Sequence, residues 1–159
     1  MLSLRPRGFH FYDGTEKWLV RGVTYGPFRP DGDGHPYPEE SQLREDLHAI
    51  AEMGANALRL YTVPNEYLAS LAAEYSLALL IDIPWPKHLD VYEKPDLQQM
   101  CRRMVSEGVE KVRDWPNLLG VFLGNEIPPD LARWAGAGRV ESFLRSLYAQ
   151  AKETGDQVS

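Results

Sequence analysis

The sequence predicts an α/β fold in which short strands alternate with amphipathic helices four times along the chain. Three observations carry this. The strand candidates, such as the run that starts at Leu118 and ends in Gly124-Asn125-Glu126, are continuous apolar runs, as strands covered on both faces require. The segments between them place apolar residues three and four apart, the period of a helix with one buried face. The strands stop abruptly, at Pro84-Trp85-Pro86 and at Gly124-Asn125-Glu126 before Pro128 and Pro129.

Taken in order, Asp13-Gly14 is a turn signal between Phe9–Tyr12 and Lys17–Thr24, which predicts a short N-terminal hairpin. Its second arm, Trp18 to Tyr25, continues as the first core strand. Phe28 to Pro38 is a loop dense in Pro, Gly and Asp; Asp31-Gly32-Asp33-Gly34 lacks the later ligand spacing of a calcium loop and reads as a solvated turn. Glu39–Met53 is a helix with Leu43, Leu47, Ile50 and Ala51 on one stripe and Gly54 as its stop. Asn56–Tyr61 is the second strand and Asn65–Tyr75 a helix. Ala78–Ile83 is the third strand. Asp96–Arg113 is a long helix that turns Leu97, Cys101, Met104, Val105, Val109 and Val112 inward. The fourth strand follows Trp115-Pro116. Arg139–Lys152 is the last helix, with Val140, Phe143, Leu144, Leu147 and Tyr148 inward, and Gly155–Ser159 reads as the approach to a fifth strand.

Strands alternating with helices demand a parallel sheet with right-handed crossovers. An open doubly wound sheet and the first half of a TIM (β/α)8 barrel both meet that demand. No Gly-x-Gly-x-x-Gly follows the first strand, so a dinucleotide fold has no support. The expectation is a single partial barrel over residues 1–159, about four βα units: residues 8–24 form the hairpin and first strand, and residues 118–126 the fourth.

Composition narrows the function. The chain has 159 residues, 43% apolar and 25% charged, with a formal net charge of -6 and no basic cluster, which argues against a nucleic-acid partner. No apolar run reaches the roughly 18 residues of a membrane span. Met1–Arg7 lacks the apolar core of a secretory signal, so a cytoplasmic location is expected. Cys101, the one cysteine, sits at an apolar helical position and reads as a small core residue.

Chemistry-bearing residues gather where the strands end. At or just beyond the strand ends stand Tyr25 and Phe28 for the first, Arg59 and Tyr61 for the second, Asp82, Trp85 and His88 for the third, and Asn125 and Glu126 for the fourth. Parallel strands bring all of these to one rim, where α/β proteins keep their sites. Aromatic faces pack on pyranose rings, Asn and His bond hydroxyls, and a carboxyl protonates a leaving oxygen. A carboxyl at a buried strand's end is partly desolvated, which suits it to general acid work. Each residue also has a plainer role: the aromatics as packing, His88 as a surface residue, Glu126 as the start of a loop. Asp82 lies between Ile81 and Ile83 and needs a partner, for which Arg59 on the neighbouring strand is the obvious one.

Val23-Thr24-Tyr25 after Arg21-Gly22, Asn56–Tyr61, and Gly124-Asn125-Glu126 resemble three consecutive motifs of glycoside hydrolase clan A, the retaining (β/α)8-barrel hydrolases. The nearest resemblance is to the barrel of glycoside hydrolase family 2. Glucanosyltransferases that remodel β-1,3-glucan look similar around Arg59-Leu60-Tyr61 and Gly124-Asn125-Glu126, and so do glycosidase-like domains joined to family 2 glycosyltransferases in bacteria. The resemblance spans about residues 8 to 159. It implies Glu126 as acid/base, Asn125 as the amide that bonds the sugar 2-hydroxyl, and Arg59 as the arginine that orients the nucleophile. Tyr25, Tyr61, Trp85 and His88 are the candidate substrate-binding residues.

The resemblance places the nucleophile at the end of a seventh strand, beyond these four. A retaining mechanism needs two carboxyls about 5 Å apart. The isolated chain is therefore expected to be inactive, and its open strand edges to favour a homodimer or aggregation. No cofactor or metal is required. Two other readings are a non-catalytic carbohydrate-binding or regulatory half-barrel associated with a glycosyltransferase, and an unrelated small α/β protein that binds no glycan.

Overall fold

The computed structural model describes residues 4–8, 10–30, 32, 34 and 36–155. Phe9 of the expected hairpin, Asp31 and Asp33 of the loop, and residues 156–159 of the expected approach to a fifth strand lie outside them. The chain forms two compact units. The first runs to Ile81 and takes in Trp115–Gly120; the second comprises Asp82–Asp114 and continues from Val121.

The first unit opens with a three-stranded antiparallel sheet, β1 (Leu4–Arg7), β2 (His10–Asp13) and β3 (Glu16–Trp18). Pairing of Asp13 with Glu16 leaves Gly14-Thr15 as the turn, with Gly14 at φ 60°. Phe11 and Trp18 meet edge to face at 6.5 Å and, with Leu4, pack on Ala57, Ala78 and Leu119. The small sheet thus covers the N-terminal ends of the parallel strands.

The parallel sheet has the order β4-β5-β6-β7, from β4 (Gly22–Thr24), β5 (Ala57–Leu60), β6 (Ala78–Asp82) and β7 (Leu118–Phe122). The register pairs Thr24 with Arg59, and Leu60 with Ile81. Leu58, Leu60, Leu79 and Ile81 are fully buried, and Arg59, the one charged residue of β5, is half-buried between Leu58 and Leu60. The amide of Asn117 donates to the carbonyls of Ala69 and Leu77, each at 3.1 Å, and seats the start of β7.

The expected continuous arm from Trp18 to Tyr25 is instead broken into β3 and β4, which belong to different sheets. Asn56 is the reason. Its Oδ1 accepts from the Arg21 N–H at 2.7 Å, its Nδ2 donates to the Leu19 carbonyl at 2.8 Å, and its own N–H donates to the Arg21 carbonyl at 2.9 Å. These bonds draw residues 19–21 away from the hairpin ladder.

Helix α1 (Glu40–Glu52) buries Leu43 and Leu47, and Gly54 at φ 87° ends it. Helix α2 (Glu66–Glu74) is capped by Asn65, whose Oδ1 accepts from Leu68 N–H at 2.9 Å.

In the second unit, α3 (Pro95–Val112) starts on a proline and buries Cys101, Val105, Val109 and Val112. It pairs with α5 (Ala137–Thr154), which buries Phe143, Leu147 and Ala151. Tyr148, expected inward, is 58% exposed: it falls one residue past the buried stripe, and Lys152 one turn on lies 5.7 Å from its ring. Between β7 and α5 stands α4 (Pro129–Ala135), which the apolar pattern does not announce. Pro129 sits at its first position, where the missing N–H is harmless. Among the described residues, no helix is long and apolar enough to cross a membrane.

Candidate active site

At the end of β4, Tyr25 is buried, its N–H bonds the Arg59 carbonyl at 3.0 Å, and its hydroxyl donates to Asp46 Oδ2 at 2.6 Å. Burial, then the bond and negative charge of Asp46, push the Tyr25 phenol well above the usual tyrosine range. Phe28 lies 4.7 Å from Tyr25 and 6.4 Å from Tyr37, ring centre to ring centre. Tyr37 anchors this cluster by donating to the Thr62 carbonyl at 2.9 Å. Sequence reasoning passed over Tyr37, whose only signal was an aromatic between Pro36 and Pro38. Arg59 is half-buried and its guanidinium stands 5.2 Å from the Tyr61 ring centre. The first unit therefore gathers Tyr25, Phe28, Tyr37, Arg59 and Tyr61 at or just past the ends of β4 and β5.

The second unit holds the other candidates. Asp82 is buried at the end of β6. Trp85 is buried as well; its indole N–H donates to the Leu123 carbonyl at 2.6 Å and its ring meets Phe143 edge to face at 5.5 Å. His88 is exposed. Lys87, which no sequence motif flagged, donates from Nζ to the backbone carbonyl of Asn125.

Asn125 is half-buried, and Glu126 is exposed with φ 51° in the left-handed region. The burial expected of Glu126 is not seen: the chain leaves β7 and turns through this left-handed residue, which is exposed. A non-glycine residue in that region is strained by about 1–3 kcal/mol, and such residues concentrate at functional sites. Among the described residues, no group of three or more His, Cys, Asp or Glu side chains is placed to hold a metal ion.

Solved structures share this parallel-sheet fold. The chain resembles β-glucuronidase 3 of Bacteroides uniformis with a TM-score of 0.77 at 23% identity, over 94% of this chain and 19% of that one. It resembles the exo-β-1,4-mannosidase Op5Man5 of Opitutaceae bacterium strain TAV5 with a TM-score of 0.70 at 16% identity, over 87% of this chain and 30% of that one. The family itself is narrower: the glucanosyltransferase model of glycoside hydrolase family 72 matches residues 1–155, and the chain belongs to that family, in clan A.

Two relatives illustrate it. The chain is 25% identical over 147 residues to the 1,3-β-glucanosyltransferase gel1 of Aspergillus fumigatus, covering 89% of this chain and 32% of that protein. It is 23% identical over 160 residues to the 1,3-β-glucanosyltransferase GAS5 of Saccharomyces cerevisiae, covering 96% of this chain and 33% of that protein. The chain thus spans about a third of the length of the curated relatives it matches. These relatives are fungal, which corrects the expectation of a bacterial-like domain.

Proposed function

We propose that the chain carries the acid/base portion of a retaining enzyme that transfers or hydrolyses O-glycosidic bonds of a β-linked glucan. The observation that carries this reading is the family match over residues 1–155, with Asn125-Glu126 separated by two residues from the end of β7 at Phe122. In it, Glu126 protonates the glycosidic oxygen and then activates the incoming hydroxyl or water. Asn125 bonds the sugar 2-hydroxyl, an interaction that tightens in the transition state. Arg59 orients a nucleophilic carboxylate supplied from outside the four strands, on a later strand of a (β/α)8 barrel. Tyr61 and His88 are assigned to the sugar, while the Tyr25 hydroxyl and the Trp85 indole are each engaged within their own unit.

The test uses β-1,3-gluco-oligosaccharides with the whole gene product and with the 159-residue chain alone. The whole product is expected to yield longer or shorter oligosaccharides with retained configuration, Glu126→Gln to yield none, and the chain alone to be inactive. Undiminished turnover by Glu126→Gln in the whole product would overturn the assignment.

A second reading gives the chain a binding role. It makes the chain a non-catalytic carbohydrate-binding or regulatory half-barrel, akin to family 2 barrels and associated with a glycosyltransferase. Glycan binding that survives Glu126→Gln, with no turnover in the whole product, would support it. For the chain alone, β4 and β7 are the edges of the four-stranded sheet, and homodimer formation through them is expected; light scattering checks it.

A further inference from the structure

We infer that Lys87 and Trp85 are positioning residues for Glu126, because the segment after β6 grips the backbone of the turn after β7. Ile83 N–H donates to the Phe122 carbonyl at 2.9 Å, Trp85 Nε1 to the Leu123 carbonyl at 2.6 Å, and Lys87 Nζ to the Asn125 carbonyl. Three of the four carbonyls from Phe122 to Asn125 are thus held by residues 83–87. The grip is itself fixed. Trp85 is buried edge-on to Phe143, and Lys87 N–H donates to the Trp85 carbonyl at 2.7 Å.

Directly after the last held carbonyl comes Glu126 at φ 51°. An ordinary residue leaves that conformation unless its surroundings impose it. Fixing the Asn125 carbonyl orients the peptide plane that enters Glu126, and Pro128 restrains the chain just beyond. The ammonium is the strongest of the three donors, since its bond to the carbonyl is charge-assisted. Lys87 therefore sets where the Glu126 side chain points without touching substrate. Its consequence for catalysis rests on Glu126 being the acid/base.

The test is NMR of the chain, in which a residue with positive φ gives a strong intraresidue cross-peak between its amide and α protons. Glu126 is expected to show this signature in the wild-type chain, to lose at least half its intensity in Lys87→Met, and to recover it in Lys87→Arg. Full intensity in Lys87→Met overturns the inference. Should Lys87→Met fail to fold, Trp85→Phe, which removes the indole donor and keeps a ring, is read in the same way. In the whole gene product, Lys87→Met is expected to lower kcat on β-1,3-gluco-oligosaccharides at least tenfold with little change in KM, and Lys87→Arg to restore it. A wild-type product that shows the signature and turns over no glycan overturns the acid/base reading and supports the positioning. A retained signature in Lys87→Met overturns the positioning whatever the turnover.

Discussion

The Tyr25 hydroxyl donates to Asp46 Oδ2 at 2.6 Å and ties the end of β4 to the middle of α1. Asp46 is held in turn, its Oδ1 accepting from Gln42 Nε2 at 2.7 Å. Burial first, and Asp46 second, raise the Tyr25 ionisation. The folded state therefore keeps a proton that the unfolded chain releases near pH 10. The associated stability is fully present below about pH 10 and declines as pH rises through the folded value. Tyr25→Phe is expected to cost about 1–2 kcal/mol at neutral pH and to lose part of this alkaline sensitivity. Urea midpoints of both proteins at about pH 8 and about pH 11 check it; a constant difference between them would refute the linkage.

A Cβ at Gly108 would stand 2.7 Å from Ile83 Cγ2 and 3.2 Å from its Cδ1. Ile83 is buried, and its β-branched side chain has little freedom to yield. Alanine gains about 1 kcal/mol of helix propensity. Overpacking costs about 1–3 kcal/mol, so Gly108→Ala is expected to lower stability by about 1 kcal/mol. Thermal unfolding decides: a raised Tm would show that α3 has room here.

Glu126 is strained where it stands, and the strain serves no packing, since the residue is exposed. Glu126→Gly is expected to stabilise the chain by about 0.5–1 kcal/mol, after allowance for glycine's greater freedom when unfolded. Glu126→Gln keeps the strain and is expected to change stability by less than about 0.5 kcal/mol. Both should abolish glucan turnover in the whole product. Denaturant titration that finds the glycine variant less stable than the glutamine variant would contradict the assignment of strain.

Asn56 holds residues 19 and 21 through two side-chain bonds of 2.8 and 2.7 Å. Asn56→Ala is expected to cost about 1–2 kcal/mol and to speed hydrogen exchange at the Arg21 amide. Asn56→Asp, which keeps the acceptor and loses the donor, should protect that amide and still cost part of the stability. Equal exchange at Arg21 in all three proteins would sever the link between Asn56 and the break in the arm.

Among the described residues, β5, β6, β7 and four of the five helices were legible because burial writes itself into local periodicity, as in Leu58-Arg59-Leu60 and in the α3 stripe. Asn65 announced its cap in the same local way. What was hidden depends on distant partners. Residues 19–21 leave the hairpin because of Asn56, some 35 residues on. β1 carries Arg5-Pro6-Arg7, which has no strand pattern, and forms because β2 offers it an edge. At the candidate site, Asn125 and Glu126 were singled out by their place after an apolar strand. The exposure and left-handed backbone of Glu126, and the reach of Lys87 to Asn125, follow from loop geometry that no spacing encodes.

Cys101 is the chain's one thiol; it has no exposed surface, and burial raises its ionisation above the ordinary thiol range. Only the thiolate reacts quickly. A disulfide reagent in excess therefore meets nothing until α3 lifts from its neighbours, and the labelling rate becomes a stopwatch for that opening. The second unit carries its own kinetic probe, read in solution with no engineered label. Comparing the Cys101 stopwatch with the unfolding rate of the whole chain would tell whether that unit comes apart alone or together with the rest.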